Sequence, residues 1–124
     1  MIVKNPSCID ILARNQRRVA YLTDKFATGE FNPHVDYDLI LNGIPATADN
    51  SFFSQIKQIH DDTFCYDLTY ANKKSAFLMA MTTLNARSKG CNGLGMLVEQ
   101  AKIAFVKLFN YIPDTKSVIN TLCV

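Results

Sequence analysis

Leu94-Gly-Met-Leu-Val-Glu-Gln-Ala-Lys-Ile-Ala-Phe-Val-Lys-Leu-Phe-Asn-Tyr-Ile112 is the longest apolar stretch of the chain, interrupted only by the polar residues Glu99, Gln100, Lys102, Lys107 and Asn110. A helix that is apolar on most sides is expected at the buried centre of a domain. Phe105 and Leu108 are its expected core residues. A glycine-rich turn, Gly90-Cys91-Asn92-Gly93-Leu94-Gly95, leads into the helix, and Pro113 stops it. The charges at Glu99, Lys102 and Lys107 argue against a membrane span.

Upstream of this helix, Asn72 can cap a helix that runs to about Lys89, with Ala76, Phe77, Leu78, Ala80, Met81 and Leu84 inward and Gly90 as its stop. The short link then predicts an αα-hairpin with the central helix. Downstream, Asp114 caps a last short helix with Val118, Ile119 and Leu122 inward. Thr63 to Tyr70 alternates at period two, as does the segment from about Val35 to Leu41, so both read as strands. Between them Asp49 caps a short helix whose apolar side is Phe52, Phe53, Ile56 and Ile59. At the amino end, Ile2 and Val3 begin an edge strand. Ser7 then caps a first helix from about Cys8 to Thr28, stopped by Gly29. The result is an α+β fold: a mainly helical single domain over residues 1–124, with about five helices and a small two- or three-stranded sheet.

Hydrophobic residues make up 48% of the 124 and charged residues 19%, with a net charge of +2. A chain of this length buries roughly two thirds of its unfolded surface and needs no disulfide or metal to be stable. So small a net charge excludes an acidic DNA mimic and strong, purely electrostatic nucleic-acid binding. Cys8, Cys65, Cys91 and Cys123 are dispersed without a Cys-x-x-Cys pair. Buried, reduced thiols in a cytoplasmic protein are expected. The segment Met-Ile-Val-Lys-Asn-Pro is not a signal sequence.

Three groups of residues have the composition of a site. Arg14, Arg18, Tyr21 and Lys25 recur along the first helix, flanked by Arg17. Arg and Tyr together bind phosphate, stack on bases or anchor a protein interface; a solvated face has the same composition. Lys89, Gly90, Gly93 and Gly95 form a weak anion-binding candidate, in which backbone N–H groups and a helix dipole meet an anion. The spacing is neither Gly-x-Gly-x-x-Gly nor Gly-x-x-x-x-Gly-Lys-Ser/Thr, and a helix-to-helix turn with positive φ at its glycines is the preferred reading. His34, Asp36 and Asp38 share a strand face, and His60, Asp61 and Asp62 follow later. If they met, they could support metal-assisted hydrolysis, but neither group has ligand spacing and no bound metal is expected. Cys65 reads as a buried thiol in preference to a nucleophile.

With no catalytic constellation and no cofactor motif, the residues favour a small non-enzymatic protein. It would dock on a larger protein partner as a regulator or inhibitor, in the manner of a viral or mobile-element accessory protein. The expected contact surface is Arg14, Arg17, Arg18, Tyr21 and Lys25. The alternatives are a nucleic-acid-binding regulator using the first helix and a small metal-dependent hydrolase using the two His/Asp groups.

Overall fold

In the computed structural model, residues 6–45, 50–70 and 74–122 are described. The edge strand expected at Ile2 and Val3, the caps expected at Asp49 and Asn72, and Cys123 lie outside them. The chain divides into two compact units, residues 1–35 and 36–124. The α+β class expected from the sequence is what the structure shows: among the described residues there are four α-helices, a 3₁₀ helix and two small sheets, with the strand pairs parallel.

The first unit is a single βαβ turn. Strand β1 (Asp10–Ile11) pairs with β2 (Gly29–Glu30), and α1 (Gln16–Phe26) connects them. The helix therefore starts eight residues later than the predicted Cys8. Asn15 caps it, its side-chain oxygen accepting from the Arg18 N–H at 3.2 Å. Val19 is the buried residue of its inner side. The stop is not Gly29 but Ala27, held left-handed at φ 51°. Gly29 serves the sheet instead: a Cβ there would run into the Asp10 carboxylate on the neighbouring strand.

The second unit carries a sheet of order β3–β4–β5, from Leu39–Asn42, Phe64–Asp67 and Lys89–Asn92. The 3₁₀ helix Asn50–Gln55 falls between β3 and β4, and α2 (Ala76–Leu84) between β4 and β5. Parallel neighbours need such crossovers. The register is continuous across all three strands: Asn42 pairs with Asp67, and Asp67 with Asn92.

The core lies under α2. Met81 is fully buried, and Phe77, Cys65 and Thr63 are nearly so. The Phe77 ring meets that of Phe53 at 5.4 Å, tying the 3₁₀ helix to α2. The Thr63–Cys65–Asp67 side of β4 faces this core, while Leu39, Leu41 and Phe64 on the alternate positions remain exposed.

Strand β5 is the largest departure from the sequence reading, which ran a helix through to Lys89. The helix stops at Leu84 because Asn85 turns extended and donates its N–H to the Met81 carbonyl. The Asn85 amide is then held by the Ile59 carbonyl and Asp61, at 3.1 and 3.0 Å. Gly90 allows β5 to close on β4, since a Cβ would stand 2.5 Å from the Cys65 carbonyl oxygen. A strand therefore intervenes between α2 and the long helix α3 (Leu94–Phe109), and the expected αα-hairpin of those two does not form.

The helical pair is instead α3 with α4 (Thr115–Leu122). Thr115 donates to Glu99 at 2.6 Å, and the Asp114 side chain accepts from the Lys116 N–H as predicted for a cap. Only Leu94 and Val98 of α3 are buried. Phe105 is 40% exposed and Leu108 76%, so the expectation that this helix is the buried centre is wrong. Val118 and Leu122 of α4 are also exposed. Among the described residues no helix is long and apolar enough to cross a membrane.

Candidate functional site

Arg14 lies between the end of β1 at Ile11 and the Asn15 cap, so it precedes the helix it was expected to ride on. Arg17 and Arg18 occupy the first turn of α1, and all three are exposed. That turn contains no acidic residue. Three cations at the positive end of a helix dipole oppose it, and an anion bound there would relieve the conflict. Tyr21 and Lys25 lie further along the same helix and engage each other, Nζ to phenol oxygen 3.1 Å, with Lys25 also 5.4 Å from the centre of the Phe26 ring. The predicted stripe thus separates into an arginine cluster at the strand-to-helix turn and a self-satisfied Lys–Tyr pair beyond it.

At the carboxyl edge of the second unit's sheet stands a group the sequence reading missed. Asn42, Asp67 and Asn92 end the three strands side by side. Asp67 is fully buried. Its Oδ1 accepts from the Asn42 amide at 3.1 Å and from the Thr69 N–H at 2.9 Å. Asn42 Oδ1 accepts from the Ile44 N–H, and Asn92 Oδ1 from the Leu94 N–H, each at 3.1 Å. The signal that could have found them is periodic: Asn42 and Asp67 lie 25 residues apart, and Asn92 follows Asp67 by the same interval, the repeat of one strand and its crossover.

The glycine candidate resolves at this edge. Lys89 and Gly90 belong to β5, Gly93 caps α3 and Gly95 lies within it, so a strand precedes the turn and not a helix. No described glycine has positive φ. Gly93 is required for close approach: a Cβ would stand 2.5 Å from the Leu68 carbonyl oxygen. Its N–H is taken by the Thr69 carbonyl at 2.8 Å. With the Leu94 N–H on Asn92, two of the groups an anion would use already have partners. Lys89 turns to Asp62, 3.8 Å away.

The His/Asp residues gather in part, at the opposite, amino edge of the same sheet. His60 Nε2 is 2.7 Å from Asp36, which also accepts from Gln58 at 2.9 Å. Asp36, Tyr37, Asp38, His60, Asp62 and Thr63 line an open cleft. Asp61 is drawn away to Asn85 and Arg87, and those hydrogen bonds hold its carboxyl below the usual carboxylate range. His34 belongs to the first unit and is exposed. Among the described residues no group of three or more His, Cys, Asp or Glu side chains is arranged to hold a metal ion.

Of the thiols, Cys65 is buried while Cys8 and Cys91 are exposed and free, which corrects the expectation that they are buried. Burial pushes the Cys65 thiol above its ordinary value, the wrong direction for a nucleophile.

No protein-family model matches the chain. Among curated proteins it resembles the shikimate dehydrogenase (NADP(+)) of Legionella pneumophila, 37% identical over 90 residues, covering 69% of this chain and 32% of that protein. The enzyme of the same name from Buchnera aphidicola subsp. Baizongia pistaciae is 33% identical over 110 residues, 86% of this chain and 37% of the relative. That of Chromohalobacter salexigens is 30% identical over 134 aligned positions, 98% and 47%. The chain therefore spans between a third and a half of the length of these relatives. Their agreement overturns the expectation of a non-enzymatic regulator or inhibitor of viral type, and with it the nucleic-acid and hydrolase alternatives: the similarity is to dehydrogenases.

Proposed function

We propose that these residues are part of an NADP+-dependent dehydrogenase acting on shikimate or a closely similar hydroxylated ring acid, and that Arg14, Arg17 and Arg18 hold the 2′-phosphate of the dinucleotide. The observation that carries this is the arginine cluster at the carboxyl end of β1, in a helix turn without an acid. In open parallel sheets ligands bind outside the carboxyl ends of the strands, and an arginine near such a turn accommodates the extra phosphate of NADP+, where an acidic residue would select the ribose hydroxyl of NAD+. The planar, permanently charged guanidinium binds phosphate in two-point fashion. Bound there, NADP+ supplies the hydride acceptor. The chain's own residues fix its adenosine end, with the Asn15 cap setting the start of α1 and hence the position of Arg17 and Arg18.

The protein partner in this reading is the remainder of the enzyme. The relatives carry more than half their length outside the matched region, and α3 and the residues just after it present exposed apolar side chains. Phe105, Phe109 and Tyr111 are 40–64% exposed, which at about 200 Å² per aromatic side chain is roughly 300 Å². That approaches the largest patch of an ordinary monomer before Leu108 and Ile112 are added. A cytoplasmic location belongs to the same proposal.

Calorimetric titration with NADP+ tests the arginine assignment. The parent chain binds, and the triple variant Arg14→Ala, Arg17→Ala, Arg18→Ala loses at least tenfold in affinity while melting as the parent does. Equal affinity in parent and variant places the phosphate elsewhere.

A further inference from the structure

We propose that Asp67 is the positioning residue of the second unit's carboxyl edge: a single carboxylate oxygen sets the exits of β3 and β4 together and, through Thr69, that of β5. The ligand-facing role of this edge rests on the dehydrogenase reading above; the bonding itself does not.

The bonds run in series. Asp67 Oδ1 receives the Asn42 amide, and Asn42 Oδ1 in turn receives the Ile44 N–H, which fixes the first residues after β3. The same Asp67 oxygen receives the Thr69 N–H, which turns the chain out of β4. The Thr69 carbonyl then accepts the Gly93 N–H at 2.8 Å, pinning the turn between β5 and α3. Asp67 is 0% exposed, and its other oxygen is buried without a hydrogen-bond partner among the described residues. A buried carboxylate with an orphaned oxygen is costly. A residue chosen for stability alone would be apolar here, as the neighbouring core residues Cys65 and Met81 are. Retaining an acid makes sense if the exits must be held in one arrangement, and exits at the carboxyl ends of parallel strands are where such sheets meet their ligands.

The assignment makes a chemical distinction that a packing role would not. Asparagine keeps an acceptor oxygen in the Oδ1 position; leucine has similar volume and keeps none. Amide hydrogen exchange is measured by NMR on the parent chain, Asp67→Asn and Asp67→Leu. In the leucine variant the Ile44, Thr69 and Gly93 amides exchange at least tenfold faster than in the parent, while amides of α1 in the first unit are unchanged. In the asparagine variant all three stay within about threefold of the parent. Uniform protection in the leucine variant overturns the proposal. So does an asparagine variant as disturbed as the leucine one, since the accepting oxygen would then not be what holds the exits. Should the leucine variant fail to fold, the asparagine variant with Asn42→Ala decides: loss of Ile44 protection with Thr69 retained is expected of Asn42→Ala, and no change there refutes the series.

Added NADP+ separates the two levels. Shifts at the Ile44 and Thr69 amides in the parent, weakened in Asp67→Leu, support the ligand-facing edge. A parent that binds NADP+ without moving these amides overturns that role. A parent that does not bind NADP+ at all overturns the dehydrogenase reading, and the exchange rates still decide what Asp67 holds.

Discussion

Helices α2 and α3 are both written mainly in apolar residues, yet they have opposite fates. The nine residues of α2 place Phe77 and Met81 at 2% and 0% exposure against the sheet. The sixteen residues of α3 bury only Leu94 and Val98, in the first two turns, and leave Ile103, Leu108 and Phe109 at 58%, 76% and 64%. Apolar composition reports that a surface is to be covered. It does not say that the cover is in the same 124 residues. For α2 the cover is the 3₁₀ helix and β4; the described residues leave much of α3 exposed.

The contrast is broken most directly by truncation in the core. Met81→Ala is expected to cost about 2–5 kcal/mol in chemical denaturation, because a fully buried side chain leaves a cavity. A loss under about 1 kcal/mol would mean α2 is not the centre. Leu108→Ala on the other helix is expected to stay within about 0.5 kcal/mol. A loss as large as that of Met81→Ala would restore α3 as the core. Charge reversal on the bare face sharpens the same point: Leu108→Glu with Phe109→Glu should leave melting almost unchanged and abolish binding of a dye that fluoresces on apolar surface. Dye binding equal to the parent's would show that the patch is not accessible.

The smallest effect concerns the strap between α3 and α4. Hydrogen bonds from Thr115 and Lys102 hold the Glu99 carboxyl below its ordinary value. A carboxylate with a depressed folded-state pKa contributes stability that is present above its unfolded pKa and is lost as pH falls through the folded one. Thr115→Val should therefore raise the Glu99 pKa toward the ordinary glutamate value by NMR titration and flatten the acid side of the stability profile slightly. The group is exposed, so the change in stability is small; an unmoved Glu99 pKa would refute the strap.

How much of this was readable beforehand follows from what each element depends on. Period-two alternation found β4 and, of the strand expected from about Val35 to Leu41, the part from Leu39 on that belongs to β3. The Asp114 cap was a local signal that held, whereas α3 stops at Asn110, left-handed at φ 50°, ahead of the expected stop at Pro113. Strand β5 was not readable, since Lys-Gly-Cys-Asn has neither alternation nor β-branched residues. It is a strand because Gly90 admits β4 at close range and Asn85 turns the chain beforehand, both non-local facts. Ser7 was read as the cap of the first helix, which the pairing of Asp10 with Gly29 excludes. The stripe of Arg14, Arg18, Tyr21 and Lys25 was counted at helical spacing from a residue that precedes the helix. Asp67 escaped notice since an acid on an alternating strand reads as its wet face, whereas here it is the buried one.

We propose that the Arg14–Arg17–Arg18 turn reads the phosphate that distinguishes NADP+ from NAD+. Parallel calorimetric titrations of the chain with the two dinucleotides, at one salt concentration, test it most directly. NADP+ is expected to bind at least tenfold more tightly than NAD+, about 1.4 kcal/mol, with the difference erased in the triple alanine variant. Equal affinity for the two dinucleotides, or a preference for NADP+ that survives loss of all three arginines, would contradict it.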